Sequence, residues 1–206
     1  MKIKFLKTIF LLGLVSSTLT SCVGDDDYVI PTVYNYAFNE GFSSSPTGSG
    51  SNEVAIALEG WVNYNATATR LWHARTFDSN IYAEFSSFYS ATGTNDVAWL
   101  ITPALDFTAS TGEILSFATK TRFSNGYPMT AYVSTDYDGT TAGIATATWT
   151  PLTFAAPTAD DVFTSSGNID LSTYESDNVR IAFKYTGSKS GVTTTCQLDN
   201  IKIVKN

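Results

Sequence analysis

Short runs rich in Val, Ile, Thr, Tyr and Phe recur along the chain between clusters of Gly, Pro, Asn and Asp, and helical periodicity is nearly absent. The clearest alternation places Val179, Ile181, Phe183 and Tyr185 on one face of a strand and Arg180, Ala182 and Lys184 on the other. The pattern predicts strands over residues 33–38, 54–58, 80–87, 98–101, 114–121, 130–134, 149–153, 179–185 and 194–204. So many short strands without helices imply an all-β fold, a two-sheet β-sandwich formed by one domain over residues 33–206. The Ser/Gly/Pro stretch at 43–51 lies too near the start to divide two domains and is expected to be a surface loop. Two places break the alternation. Asp199 shares the parity of Ile201 and Ile203, so an uninterrupted last strand would put a carboxylate on an apolar face, where it needs a partner. Tyr82, Phe85, Phe88 and Tyr89 keep no common parity, so some of them must face outward or lie in a loop.

The amino terminus follows different rules. Lys2, Lys4 and Lys7 precede an apolar run over 8–15 that is shorter than the roughly 20 residues needed to span a bilayer, as in a cleaved signal peptide over 1–21. Leu19-Thr20-Ser21-Cys22 resembles the lipobox of bacterial lipoproteins, which implies lipid attachment at Cys22; an ordinary signal peptide with a chance cysteine is the alternative. Residues 22–32 then form a lipidated, acidic tether. Within it Val23-Gly24-Asp25-Asp26-Asp27 resembles the export signal of Bacteroidetes lipoproteins, though it also suits a plain solvated spacer. The expected location is the outer membrane, held through the lipid anchor and facing the cell exterior. Cleavage would leave nine basic residues against 19 acidic ones, a net charge of −10. Such a chain repels nucleic acid, and along the sequence its basic residues form no cluster. With Cys22 lipidated, Cys196 has no disulfide partner and is expected to be a buried thiol.

An ordered series of motifs goes further. Phe38-Asn39-Glu40-Gly41-Phe42, Gly60-Trp61, Ala98-Trp99-Leu100-Ile101-Thr102-Pro103-Ala104-Leu105-Asp106, Val133-Ser134-Thr135-Asp136-Tyr137-Asp138-Gly139, Val179-Arg180-Ile181-Ala182-Phe183 and Leu198-Asp199-Asn200-Ile201 resemble the choice-of-anchor J and cleaved-adhesin group. That resemblance implies a jelly-roll of the galactose-binding or carbohydrate-binding-module kind, a role in binding or adhesion without catalysis, and a structural calcium. Asn200 stands where many relatives have a second aspartate.

Candidate chemistry is sparse. A Ser-His-acid or Cys-His set has only His73 to draw on, with no nucleophile motif beside it, and one histidine with one unmodified cysteine cannot supply a zinc site. No catalytic residue is therefore assigned. Calcium suits the oxygen-rich composition better; Glu40 and Asp199, in the first and last core strands, are its candidate ligands, the alternative being carboxylates satisfied by hydrogen bonds. Asp136, Asp138 and Gly139 look like part of a calcium loop but also suit a turn. Trp61, Tyr64 and Trp72 flank the same early loops and are candidates for a glycan-stacking platform, with simple packing as the alternative. The function expected is a surface-anchored binding or adhesion module whose ligand is a glycan or a host or matrix protein. The alternatives are an accessory envelope lipoprotein with no soluble ligand and, with least support, a hydrolase.

Overall fold

The computed structural model describes residues 35–49 and 51–205; the leader, the tether and Cys22 lie outside them. Its strands are β1 (Tyr36–Glu40), β2 (Val62–Asn65), β3 (His73–Phe77), β4 (Asn80–Phe85), β5 (Asn95–Ile101), β6 (Ile114–Arg122), β7 (Met129–Ser134), β8 (Thr150–Leu152), β9 (Thr164–Ser165), β10 (Ile169–Asp170), β11 (Arg180–Ser188) and β12 (Thr195–Val204). They pair antiparallel into two sheets, and no α-helix occurs among the described residues. The first sheet runs β10-β6-β12-β4-β3, with β1 added on β12 and β9 on β6; the second runs β2-β5-β11-β7-β8. This is the all-β, two-sheet jelly-roll sandwich that the alternation and the motifs imply.

The inward faces meet in one apolar core. Phe117 of β6 lies edge-on to Phe183 of β11 at 5.0 Å, and Phe85 of β4 packs on Tyr185 of β11 at 4.7 Å, so these pairs bridge the sheets. Cys196 is a free, buried thiol in this core, and burial raises its pKa well above the usual thiol range. A second cluster forms on the outer side of the second sheet. There Trp99, Ile101 and Ala182 are covered by Tyr137, Ile144 and Trp149 from the 135–149 segment. The second sheet is thus buried on both sides over this patch. The first sheet keeps a polar outer face.

Two expectations need correcting. Residues 54–58 form no strand; Ala55 makes an isolated bridge to His73. Two backbone bonds flank this bridge, Ile56 N–H to the Trp72 carbonyl and Ala74 N–H to the Val54 carbonyl, and the Asn63 side chain ends the pairing: its Nδ2 donates to the carbonyls of Ile56 and Trp72 at 3.0 and 2.6 Å, and its Oδ1 accepts from the Trp72 N–H at 3.0 Å. The second correction concerns Asp199. The register of β12 against β6 slips between Asp199 and Lys202, and Asn200 there has φ = +52°. This bulge inserts one residue, so that Cys196 and Leu198 face the core before it, and Ile201 and Ile203 after it. Asp199 therefore lies on the face opposite its neighbour Leu198, not with the two isoleucines.

A left-handed residue other than glycine costs about 1–2 kcal/mol, least for Asn. Replacing Asn200 by Gly should leave stability unchanged or raise it by up to about 1 kcal/mol, whereas Asn200→Val should lower it by at least about 1–2 kcal/mol in denaturant unfolding. Equal stability of the two variants would argue against a left-handed bulge at this position.

Candidate ligand-binding cleft

Alternation on the open face of the first sheet decides which side chains reach solvent. Thr119 and Thr121 of β6 are buried, which turns Lys120 and Arg122 outward; in β4, Ala83 and Phe85 face the core and leave Tyr82 and Glu84 outside. Antiparallel register aligns His73, Glu84, Gln197 and Lys120 in one row across four strands, with Arg75 opposite Tyr82 and Thr195 opposite Arg122 in the flanking rows. A cleft of about 570 Å³ lies on this face, lined by Arg75, Tyr82, Glu84 and Arg122, by Phe77, Tyr89 and Phe123, and by Gly48, Ser49 and Ser51 of the early loop. Phe77, Tyr89 and Phe123 are 71%, 66% and 75% exposed, so they do not serve the core. A second hollow of about 330 Å³ shares Tyr89, Phe123 and Thr195 with the first and adds Phe88.

Hydrogen bonds and charge define the polar part. Glu84 accepts from Gln197 Nε2 at 2.7 Å, and its Oε1 lies 3.5 Å from both His73 Nε2 and Arg75 Nε. Burial pushes the Glu84 pKa up, but the His73 imidazole 3.5 Å away, the bond from Gln197 and the charge of Arg75 outweigh it, leaving the carboxyl below its usual range. His73 is 1% exposed and also lies 3.8 Å from Glu53, which is itself paired with Arg70. Arg122 pairs with Asp161 at 2.6 Å and stacks its guanidinium over Phe123 at 5.1 Å. The Lys120 ammonium lies 4.7 Å from the Phe163 ring, 5.4 Å from Tyr82 and 6.0 Å from Phe77. Basic residues that form no cluster along the chain thus gather on one sheet face.

A buried carboxylate supports the aromatic side of the cleft. Phe88 and Tyr89 sit on a 3₁₀ turn (Ser87–Tyr89) capped by Ser86 Oγ, which accepts from the Phe88 N–H. Asp96, with no solvent exposure, accepts from Ser87 Oγ and Ser90 Oγ, both at 2.6 Å, and from Asn65 Nδ2 at 2.9 Å. The Tyr185 hydroxyl accepts from the Ser87 N–H and donates to the Thr194 carbonyl. The turn is therefore clamped from both sides.

The residues singled out by sequence do not form one site. Trp72 is fully buried and its indole N–H donates to the Ala98 carbonyl, so it is closed to any ligand. Trp61 packs on Phe38 and Phe42 at the core, and Tyr64 packs on the outer cluster of the second sheet. They do not make a common platform. Glu40 and Asp199 do lie on paired strands, since Glu40 is opposite Ile201. Each already has N–H donors: Glu40 accepts from the Phe42 N–H, and Asp199 from Asn80 Nδ2 at 2.9 Å and the Asn200 N–H at 2.6 Å. Burial raises the Asp199 pKa in spite of those bonds. Calcium takes six to eight oxygens, and among the described residues no three His, Cys, Asp or Glu side chains come together to hold a metal. The donors around this pair fit hydrogen-bonded carboxylates and do not fit a calcium shell. Asp136 and Asp138 also accept local hydrogen bonds, from Ser134 and Thr148 and from Thr140 respectively, and Gly139 has φ = +83°, as in a turn. The sequence reading missed Phe77, Tyr89, Phe123, Lys120 and Arg122. Its one signal was the broken parity over 82–89: Phe85 is core, Tyr82 faces out, and Phe88 and Tyr89 lie on the exposed turn.

Residues 53–205 match a family model described as a domain of unknown function, DUF5017. The chain belongs to this family. No curated protein matches it. Among solved structures it is similar in fold to two cleaved adhesin domains of Lys-gingipain from Porphyromonas gingivalis W83. The K1 domain has 16% identity and a TM-score of 0.50, over 82% of this chain and 98% of that one. The K3 domain has 18% identity and a TM-score of 0.50, over 82% and 99%. It is likewise similar to TmCBM61 in complex with β-1,4-galactotriose, at 11% identity and a TM-score of 0.50, over 81% of this chain and 94% of that one. At these identities the likeness is one of fold.

Removing the acceptor at Asp96 leaves three donors unpaired. Asp96→Ala should cost about 2–4 kcal/mol in denaturant unfolding, and Asp96→Asn, which keeps one acceptor oxygen, should cost less. A loss below about 0.5 kcal/mol for Asp96→Ala would show that the clamp is not formed.

Proposed function

We propose that this protein is a surface lipoprotein whose sandwich domain binds a glycan, without catalysis, in the cleft on the outer face of the first sheet. The observation that carries the reading is the set of three exposed rings, Phe77, Tyr89 and Phe123, placed around Arg75, Glu84 and Arg122 in a cleft of about 570 Å³. Sugars present apolar C–H faces edged by hydroxyl groups. Aromatic rings cover the first, while carboxylate and guanidinium groups bond the second. Such a volume falls within the range of small-molecule sites and accommodates a short oligosaccharide. The fold shared with adhesin domains and with a module crystallised on galactotriose supports the same reading. Anchoring rests on the lipobox-like residues 19–22, and the outer membrane with the domain facing outward is the location that fits them.

Two experiments bear on this. A glycan array followed by calorimetry should find saccharide binding that Tyr89→Ala and Phe123→Ala each weaken roughly two- to tenfold, with unchanged melting curves, since both rings are exposed. Full affinity in both variants would place the site elsewhere. For the anchor, Cys22→Ser should shift the protein from the membrane fraction to the soluble one, and continued sedimentation with membranes would remove the lipid from the account.

A further inference from the structure

Lys120 lies among aromatic rings, as Lys184 does on the other sheet, but its rings border the cleft. Three rings surround its ammonium, and two of them, Phe77 and Tyr82, line the cleft. Among the described residues no carboxylate lies within 4 Å of it. The nearby acids are already engaged: Glu84 by Gln197 and Arg75, Asp161 by Arg122. The ring faces are its nearest partners, while Asp161 and Glu84 attract it only from farther off; burial and the Arg122 charge outweigh those two carboxylates and lower its pKa. Arg122 adds a second positive charge at the cleft, and its ion pair with Asp161 is exposed enough to exchange for another anion at little cost. This positive patch belongs to a chain whose net charge is −7, so it is set against the overall charge of the molecule.

We infer that the glycan held by this cleft is anionic, a saccharide bearing carboxylate or sulfate groups whose charge is received by Lys120 with Arg122 beside it. The inference rests on the cleft being a saccharide site. An anion beside Lys120 supplies at contact distance the counter-charge that Asp161 and Glu84 provide only from beyond 4 Å, in surroundings drier than bulk water, where such a pair is stronger. The rings then have two tasks: they stack on the sugar, and they shield the lysine so that it stays poised for the anion.

The test titrates the full chain, purified in mild detergent, against galactan, mannan and glucan oligosaccharides of equal length, each in neutral, carboxylated and sulfated form. The expected result is that a charged member of one backbone binds roughly tenfold or more tightly than its neutral counterpart. The advantage should shrink as salt is raised, and Lys120→Gln should reduce it to the neutral level. Carboxylated against sulfated forms tells which acid is read. Arg122→Gln, at an exposed position, gives a second variant should Lys120→Gln alter the melting curve, and it should lower the same advantage. If a neutral oligosaccharide binds as tightly as its charged forms and Tyr89→Ala weakens it, the cleft is a glycan site and the anionic assignment is wrong. If none of the oligosaccharides binds, both readings fall.

Discussion

A carboxylate with no access to water ties the loops of this sandwich to its sheets. Asp96 lies in β5 of the second sheet, yet all three groups that donate to its side chain come from other segments: Asn65 of β2 and Ser87 and Ser90 of the 3₁₀ turn that follows β4. A buried charge with fewer partners would be expensive, so the surrounding chain is constrained to supply them. Asn65 extends the network: its Nδ2 also donates to the Arg70 carbonyl, while its Oδ1 accepts from the Val97 N–H. Arg70 in turn donates to the Ser86 carbonyl, pairs with Glu53 and stacks over Tyr89 at 5.7 Å. One desolvated group thus sets where the Tyr89 ring can stand.

The two outer sheet faces have opposite fates, and the difference follows from what covers them. On the second sheet, Trp99 and Tyr132 are large, apolar and outward, and the 135–149 segment closes over them with Tyr137 and Trp149. Lys184 stays at that surface by lying over the Trp99 and Tyr132 rings at 5.1 and 4.9 Å. On the first sheet the outward positions are charged or amphipathic; Gln197, His73 and Tyr82 are shielded, while Phe77, Tyr89 and Phe123 stay exposed around the cleft. Exposed rings there surround polar groups that already have a fixed arrangement, which lowers the cost of ordering them around a ligand.

The amount of this that could be read in the sequence depended on period. The strands β6, β11 and β12, nine or ten residues each, are long enough for an apolar period to show, although a bulge breaks that of β12. β9 and β10 have two residues each, and β2 and β3 are short and rich in Asn, Thr, His and Arg, so no apolar period marks them. The run at 54–58 looks like a strand, but its backbone bonds to the 72–74 segment stop at one bridge and the Ile56 carbonyl goes to the Asn63 side chain, a substitution that leaves no mark on hydropathy. Asp199 was misplaced for a related reason: a one-residue bulge reverses every later position, and nothing before Asn200 announces it. The cleft was the least legible feature. Arg75, Glu84, Arg122 and Thr195 come from four strands, and only the antiparallel register brings them together. Tryptophans are the largest rings in the chain, and large rings are what the core buries first, as Trp72 shows.

The same register decides what kind of chemistry the cleft can support. A carboxyl group serves as a general acid near neutral pH when its surroundings favour the protonated form. Glu84 is in the opposite state: donors and positive charge hold it ionised, below the usual carboxylate range. Its neighbour His73 has almost no exposure, lies between Glu84 and Glu53, and reaches no hydroxyl or thiol that it could activate among its hydrogen-bonded partners. Such an arrangement fixes charge in place and keeps Glu84 from the protonated form that a general acid needs. Fixed charge set among exposed rings is a means of recognition, the role proposed for the open face of the first sheet.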